Sequence, residues 1–222
     1  PEVFNANDIA ALETLSHQIA VALEKNHLYD TIQQELAERR RAEKELKRRA
    51  QQQAVVAELG QRVLTGAEIN TLLEEAVERV GEILAVDYCQ IMELLPDVDQ
   101  LVLRAGYGWE SDAIGQTRVS ADSKYQTGYT LLSSEPVIVE DIEAEARFEG
   151  SPLLAGRNVV SGMSVLIDGH DWPFGVLSAY TVRRREFTGD DINFLQSVAN
   201  VLAQALERRR AEGSLERRAP DQ

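Results

Sequence analysis

The sequence predicts an α+β fold: an antiparallel sheet of five or six strands with helices on both faces, preceded by a long coiled-coil helix. Three observations predict it. From Asp8 to about Leu59 there is no proline and no glycine, and apolar residues recur at helical spacing through Ile9, Leu12, Leu15, Ile19, Ala22, Leu23, Leu28 and Ile32. Two apolar stretches, Val159 to Asp168 and Phe174 to Val182, flank the turn Gly169-His170-Asp171-Trp172-Pro173 as a hairpin. In both, neither alternate set of residues is strongly polar, which is the pattern of a sheet covered on both faces.

The first helix far exceeds the ~8–20 residues usual in globular domains, so it reads as a coiled coil or helical connector. Its second half is polar and makes a poor seam. If Tyr29, Leu36, Glu43, Ala50 and Ala57 take one core position, then Ile32, Arg39, Leu46, Gln53 and Gly60 take the other. A seam so weak suits a helix pair that shifts between two states, and a loose linker has the same composition. Parallel pairing of two chains is expected, with Leu12, Leu15, Ile19, Tyr29, Ile32, Leu36 and Leu46 at the interface.

After a break at Thr65-Gly66, Ile69, Leu72, Leu73, Ala76, Val77, Val80, Ile83 and Leu84 form a wide apolar helical stripe, ended by Val86-Asp87. Tyr88 to Leu95 reads as a strand, Pro96 to Gln100 as a turn, and Leu101 to Ala105 as the hairpin partner. Gly106 to Lys124 reads as loop. Tyr125 to Ser134 has the pattern of a short helix and Pro136 to Val139 of a short strand. Asp141 to Asn158 is irregular, with a helical turn at Pro152 to Ala155. One face of the sheet is expected to carry the terminal helices, the other the irregular middle segment.

Composition narrows the function. The net charge is −14, yet Gln33 to Gln53 carries +3 and leaves −17 on the rest. A basic stripe can serve nucleic acid, but Glu35/Arg39, Glu43/Lys47 and Glu45/Arg49 stand four apart with the acid first, the order that self-pairs on a helix. No nucleic-acid partner is expected. No apolar run nears the ~20 residues of a membrane span, so no membrane contact is expected either. The one cysteine, Cys89, excludes an internal disulfide and a cysteine-cluster metal site, and fits a cytoplasmic setting. The chain starts at Pro1 and reads as a piece of a longer protein, with an output domain expected elsewhere in the same chain.

An internal echo supports this. Phe4, Asp8, Ile9, Leu12, Ala20, Ala22, Leu23 and Glu24 are matched by Phe187, Asp191, Ile192, Leu195, Ala203, Ala205, Leu206 and Glu207 at a constant offset of 183. The chain thus opens with the terminal helix of one unit and closes with that of a similar one. The expected divisions are residues 1–30 for the first terminal helix, 31–54 for the linker helix, 55–212 for the domain and 213–222 for a tail.

The order helix, hairpin, long crossover, two strong strands and terminal helix resembles the GAF domain family. The likeness is carried by Gly128-Tyr129-Thr130-Leu131-Leu132, Glu135-Pro136-Val137-Ile138-Val139-Glu140-Asp141, Arg147-Phe148, Val159-Val160-Ser161-Gly162, Pro173-Phe174-Gly175-Val176-Leu177, Phe187-Thr188-Gly189-Asp190-Asp191, Phe194-Leu195 and Ala199-Asn200. It is similar to the sensor type of bacterial histidine kinases and cyclic-di-GMP enzymes, and covers about Val55 to Arg210. The resemblance implies a sensory or regulatory module that is not an enzyme and dimerises through helices. The alternative is a structural dimerisation and spacer module without ligand.

Members of that family with known chemistry provide further tests. Covalent bilin attachment uses a cysteine near the crossover, whereas Cys89 falls in the first strand with no histidine beside it. Methionine sulfoxide reduction needs a resolving thiol that this chain lacks. The cyclic-nucleotide pattern departs at Thr181-Val182 and Ile192. His17, His27 and His170 are scattered, so neither haem nor metal is expected, and the identity of any cofactor stays open. A small-molecule ligand is expected between sheet and crossover, where Arg104, Tyr107, Trp109, Tyr125, Tyr129, Arg147, Phe148, Ser161, Ser178 and Tyr180 are the candidate lining. Each has a plainer role open to it: Phe148 and Tyr180 as core, Trp109 as cover for the sheet edge, Arg147 as partner to Asp141 or Glu143.

Overall fold

Helix α1 (Ala6–Leu64) stops where the sequence supplies its stop signal. Gly66 takes a positive φ of 75°, and the amides of Gly66 and Ala67 return to the carbonyls of Val63 and Arg62. This is the paired hydrogen bonding of a Schellman cap, which only a residue tolerant of the left-handed region closes at low cost. The structure, a computed structural model, describes residues 6–133 and 135–216, with the side chains of 6–15, 19–22, 96 and 213–216 left aside. It divides into two units, Pro1–Arg49 and Ala50–Gln222.

In the first unit every described residue is helical, and Leu28, Tyr29, Ile32, Leu36 and Leu46 are exposed. The side chains of Leu12, Leu15 and Ile19 lie outside the described residues. Among the described residues no helix is long and apolar enough to cross a membrane.

The second unit is built on a six-stranded sheet in the order β3-β2-β1-β6-β5-β4, every neighbouring pair antiparallel. Its strands are β1 (Tyr88–Leu95), β2 (Gln100–Tyr107), β3 (Arg118–Ser120), β4 (Val137–Val139), β5 (Ser161–Ile167) and β6 (Gly175–Thr181). Between them run α2 (Ile69–Leu84) and the short α3 (Gln126–Leu132), and α4 (Gly189–Glu216) closes the chain. A 3-10 turn at Pro152–Leu154 interrupts the crossover.

Two elements differ from the expected ones. Strand β2 runs on to Tyr107, and β3 lies inside the stretch read as loop. Arg118, Val119 and Ser120 alternate over three residues only, with Val119 alone turned inward, too short a pattern to announce a strand, and their strand character comes from pairing with Gln100, Leu101 and Val102 at the sheet edge.

Alternation sorts the strands onto two cores. Cys89, Ile91, Met163, Val165, Leu177 and Ala179 face α2, α4 and the last turns of α1, where Leu72, Val80, Leu195, Leu202 and Leu59 are buried with them. Met92, Leu101, Leu103 and Tyr180 face the crossover, with Trp109, Leu154 and Val159. Val137, Val139 and Phe148 form a satellite beside them.

Burial sets the chemistry of Cys89. Its thiol is buried and pushed far above the usual thiol range by desolvation, so almost no thiolate forms near neutral pH. Alkylation of Cys89 is therefore expected to follow unfolding: in native protein, iodoacetamide labelling should proceed only as fast as the β1 region opens, and in denaturant within minutes.

Candidate functional site

The crossover-facing side of the sheet carries one polar row among apolar ones. Register aligns Gly106 on β2, Gln90 on β1, Ser178 on β6, Ser164 on β5 and Val137 on β4 across five strands. Gln90, Ser178 and Ser164 are all fully buried. Cross-strand neighbours of this kind stand ~4.5–5.5 Å apart at their Cβ atoms, so the three polar side chains form a continuous rung. A Cβ at Gly106 would collide with the Trp109 ring, which places that indole over the end of the rung. The next row runs Tyr88, Tyr180, Gly162 and Val139, with the Tyr180 ring lying over Gly162.

Helix α3 covers the other end of the rung. Gln126 Nε2 donates to Ser164 Oγ at 3.3 Å, and the hydroxyls of Thr130 and Ser164 are 2.7 Å apart. Thr130 Oγ1 also donates to the Gln126 carbonyl at 2.8 Å. Gly128 lets α3 pack tightly on the segment that leads into it, since a Cβ there would overlap the carbonyl oxygens of Ala121 and Asp122.

What distinguishes this interior is how much of it is unpaired. Both amide atoms of Gln90, the indole Nε1 of Trp109, Gln126 Oε1, Thr127 Oγ1, Ser178 Oγ and the Tyr180 hydroxyl are buried and have no hydrogen-bond partner of acceptable geometry. Desolvation pushes the Tyr180 phenol up to about 12, partly offset by the nearby Ser178 hydroxyl, so it is a neutral donor at any physiological pH. Each such group costs about 1–3 kcal/mol when buried unpaired. No charged side chain belongs to the set.

The roof is clasped at two places. Arg157 stacks over Trp109 at 4.3 Å and Tyr88 at 5.5 Å, and its guanidinium reaches the Glu110 carboxylate at 2.6 Å. Arg147 lies over Phe148 at 5.4 Å and Tyr129 at 6.0 Å, holds the Glu145 carboxylate at 2.6 Å and donates to the Ile138 carbonyl at 2.7 Å. This sets the Glu145 carboxyl at about 2, chiefly through the hydrogen bond from Arg147. A folded-state value below the unfolded one means the clasp stabilises above the ordinary carboxylate range and is lost as pH falls through about 2. The Glu145→Gln variant is therefore expected to match wild-type stability at low pH and to be the less stable of the two near neutrality, as read by urea midpoints at both ends.

Of the ten candidate lining residues, Trp109, Ser178 and Tyr180 belong to the rung and its neighbour row. Tyr129 and Phe148 meet at 5.2 Å in the satellite core, gripped by Arg147. Tyr125 precedes α3 and bridges Glu149. The remaining three lie elsewhere. Arg104 projects to the helix side from a bulge in the β1–β2 ladder, where it pairs with Glu93 at 3.0 Å and Asn70 at 2.6 Å beside a cleft of about 410 Å³. Tyr107 packs over Gly81 of α2. Ser161 donates to the Glu140 carbonyl and accepts from the Arg185 amide, on the Met163 side of β5. The bulge accounts for Tyr107, because one extra residue reverses the alternation of every side chain after it, whereas Arg104 follows Leu103 onto the helix side by ordinary alternation.

Gln90, Ser164, Gln126, Thr127 and Thr130 are the rung and roof residues that the candidate list omits. Their signal in the sequence was faint but present: Gln90 interrupts the apolar run Tyr88 to Leu95, and Ser164 and Ser178 stand mid-strand in stretches otherwise apolar on both faces. Among the described residues no cluster of His, Cys, Asp or Glu is placed to hold a metal ion.

A family model described as GAF domain matches residues 68–206. No curated protein sequence matches the chain. Among solved structures it is similar to the GAF domain of a phosphoenolpyruvate-protein phosphotransferase from Coxiella burnetii, with 21% identity, a TM-score of 0.66, and 75% of this chain and 98% of that one covered. It is similar also to free methionine-R-sulfoxide reductase from Neisseria meningitidis in complex with its substrate (18% identity, TM-score 0.63, 74% and 93% covered). A third is the GAF domain of a protein described as a sensor histidine kinase from Pseudomonas syringae pv. tomato (20% identity, TM-score 0.57, 80% and 99% covered). At these identities the likeness is one of fold.

Proposed function

Since this chain belongs to the GAF domain family, we propose that it is a non-catalytic sensory module that binds a small molecule beneath its crossover. It pairs with a second copy through parallel helices and relays occupancy to an output domain of the same chain. The observation that carries the reading is the unpaired polar rung. Buried groups without partners are rare in folded proteins, and each calls for an explanation such as a missing ligand. Here they cluster beneath the α3 segment and the Trp109 loop. In the closed arrangement they are sealed from water, so a ligand enters only when the α3 segment or the Trp109 loop lifts. Two arrangements of the cover, one of them favoured by the ligand, are the physical requirement for a sensor.

Two further features support the reading. Cys89, the one thiol, is buried and protonated, which removes the nucleophile that redox chemistry of the sulfoxide kind would need. The apolar residues Leu28, Tyr29, Ile32 and Leu36 are exposed on a helical unit whose described side chains are all solvated but for the half-buried Arg48. A second copy of the same helix is the partner that would cover them, and single helices of this kind gain most of their stability from such packing.

Native mass spectrometry of the purified chain tests the proposal, because it reports stoichiometry and co-purified mass together. A dimer carrying extra non-covalent mass is expected. A dimer of bare polypeptide from every preparation would favour the spacer alternative, and a monomer would overturn helix pairing. Ile32→Asp with Leu36→Asp is expected to shift sedimentation from dimer to monomer while leaving the sheet intact.

A further inference from the structure

We infer that the ligand of this site is an uncharged molecule presenting an amide edge, a hydrogen-bond donor and acceptor side by side, attached to a planar ring. The inference rests on the reading of the rung as a ligand site and names the chemistry it would take. Gln90 is the central residue. It is fully buried, sits between Gly106 and Ser178 in register, and has both its carbonyl oxygen and its amino group unpartnered. A neutral group that satisfies both atoms at once near pH 7 is another amide, primary or cyclic, with its own donor and acceptor on adjacent atoms.

The flanking groups extend the same logic. Ser178 and Tyr180 contribute neutral hydroxyls, and Trp109 contributes an N–H donor and an aromatic face over the end of the rung. A planar ring suits that face, since offset stacking against an indole favours flat partners. Charge decides between neutral and ionic forms. Arg157 is engaged, with its guanidinium on the Trp109 and Tyr88 rings and the Glu110 carboxylate. Arg147 is held by Glu145 and the Ile138 carbonyl. With both cations engaged, a carboxylate or phosphate against Gln90 would be buried without a counter-charge, at a cost that ordinary hydrogen bonds do not offset.

Benzamide and benzoate form the matched probe pair: the same ring, one neutral amide and one carboxylate. Their binding to the whole chain is read by saturation-transfer NMR and by quenching of tryptophan emission. Benzamide is expected to bind at least about tenfold more tightly than benzoate. Gln90→Met, which keeps the volume and removes both orphaned atoms, is expected to abolish benzamide binding while leaving the melting temperature equal or higher. Equal or stronger binding of benzoate would overturn the amide class and leave the site itself standing. Benzamide binding that survives Gln90→Met would overturn the assignment to Gln90. If neither probe binds and the chain purifies free of small molecules, both the inference and the ligand site beneath it fail.

Discussion

Gly175→Ala should cost about 3 kcal/mol of unfolding free energy, at the upper end of the range for overpacking. Gly175 opens β6 between β1 and β5, paired with Glu93 on one side and Ile167 on the other. A Cβ at this position would run into the carbonyl oxygen of Met92 and come within 3.0 Å of the Glu93 Cα. Both are backbone atoms in a central ladder, so relief means separating the strands. Gly162→Ala meets mainly the Tyr180 ring, a side chain that can turn, and should cost less at the price of tilting that hydroxyl within the site. Gly60→Ala is the control. Nothing lies within 4 Å of its added methyl, and a gain of about 0.5–1 kcal/mol is expected for a helical glycine. Urea titration followed by far-UV circular dichroism orders the three.

Asp191→Ala should be comparably severe, at about 3 kcal/mol, because it leaves a buried network without its anion. Asp191 is 1% exposed at the start of α4. One carboxylate oxygen accepts from the Thr188 amide at 3.1 Å and from the Arg185 guanidinium at 3.3 Å, and the other from Gln52 of α1 at 3.4 Å. Arg185 also donates to the Leu84 carbonyl at the end of α2. One carboxylate therefore joins the end of the sheet to three helices, including the incoming and outgoing ones of the second unit. Asp191→Asn keeps the shape and loses the charge, so it should recover part of the loss. Amide exchange is expected to show the Asp191→Ala effect concentrated at the start of α4 and around Gln52.

Much of this arrangement was legible in the sequence, for identifiable reasons. Strand β1 runs Tyr88–Leu95 as expected, and the crossover turn at Pro152–Leu154 lies where a proline and two leucines interrupt polar chain. Each is a local signal that tertiary structure leaves unchanged. The echo of Phe4 and Asp8 in Phe187 and Asp191 points to the very carboxylate that anchors α4.

The candidate site was legible in part. Trp109, Ser178 and Tyr180 stand out as an aromatic or polar residue near the crossover. Tyr107 faces the helices because a bulge opposite Ile91 and Met92 reverses the alternation of β2 after Arg104, and no residue type there announces a bulge; Arg104 lies on the helix side by ordinary alternation from Leu103. Gln90 is hard to read as a site residue, because a single glutamine in a strand usually faces water. Only the covering of the sheet on both sides makes it an orphan.

The roof of the polar rung is expected to open while the sheet below remains intact. Hydrogen–deuterium exchange of the free protein, resolved to peptides, tests this directly by comparing Gln126–Leu132 with Gly175–Thr181. The account predicts that α3 amides exchange through a local opening far below the free energy of global unfolding, while β6 amides wait for the whole unit to unfold. Exchange of both segments at the same global free energy would contradict it, since a roof that opens only when the fold is lost cannot admit and report a ligand.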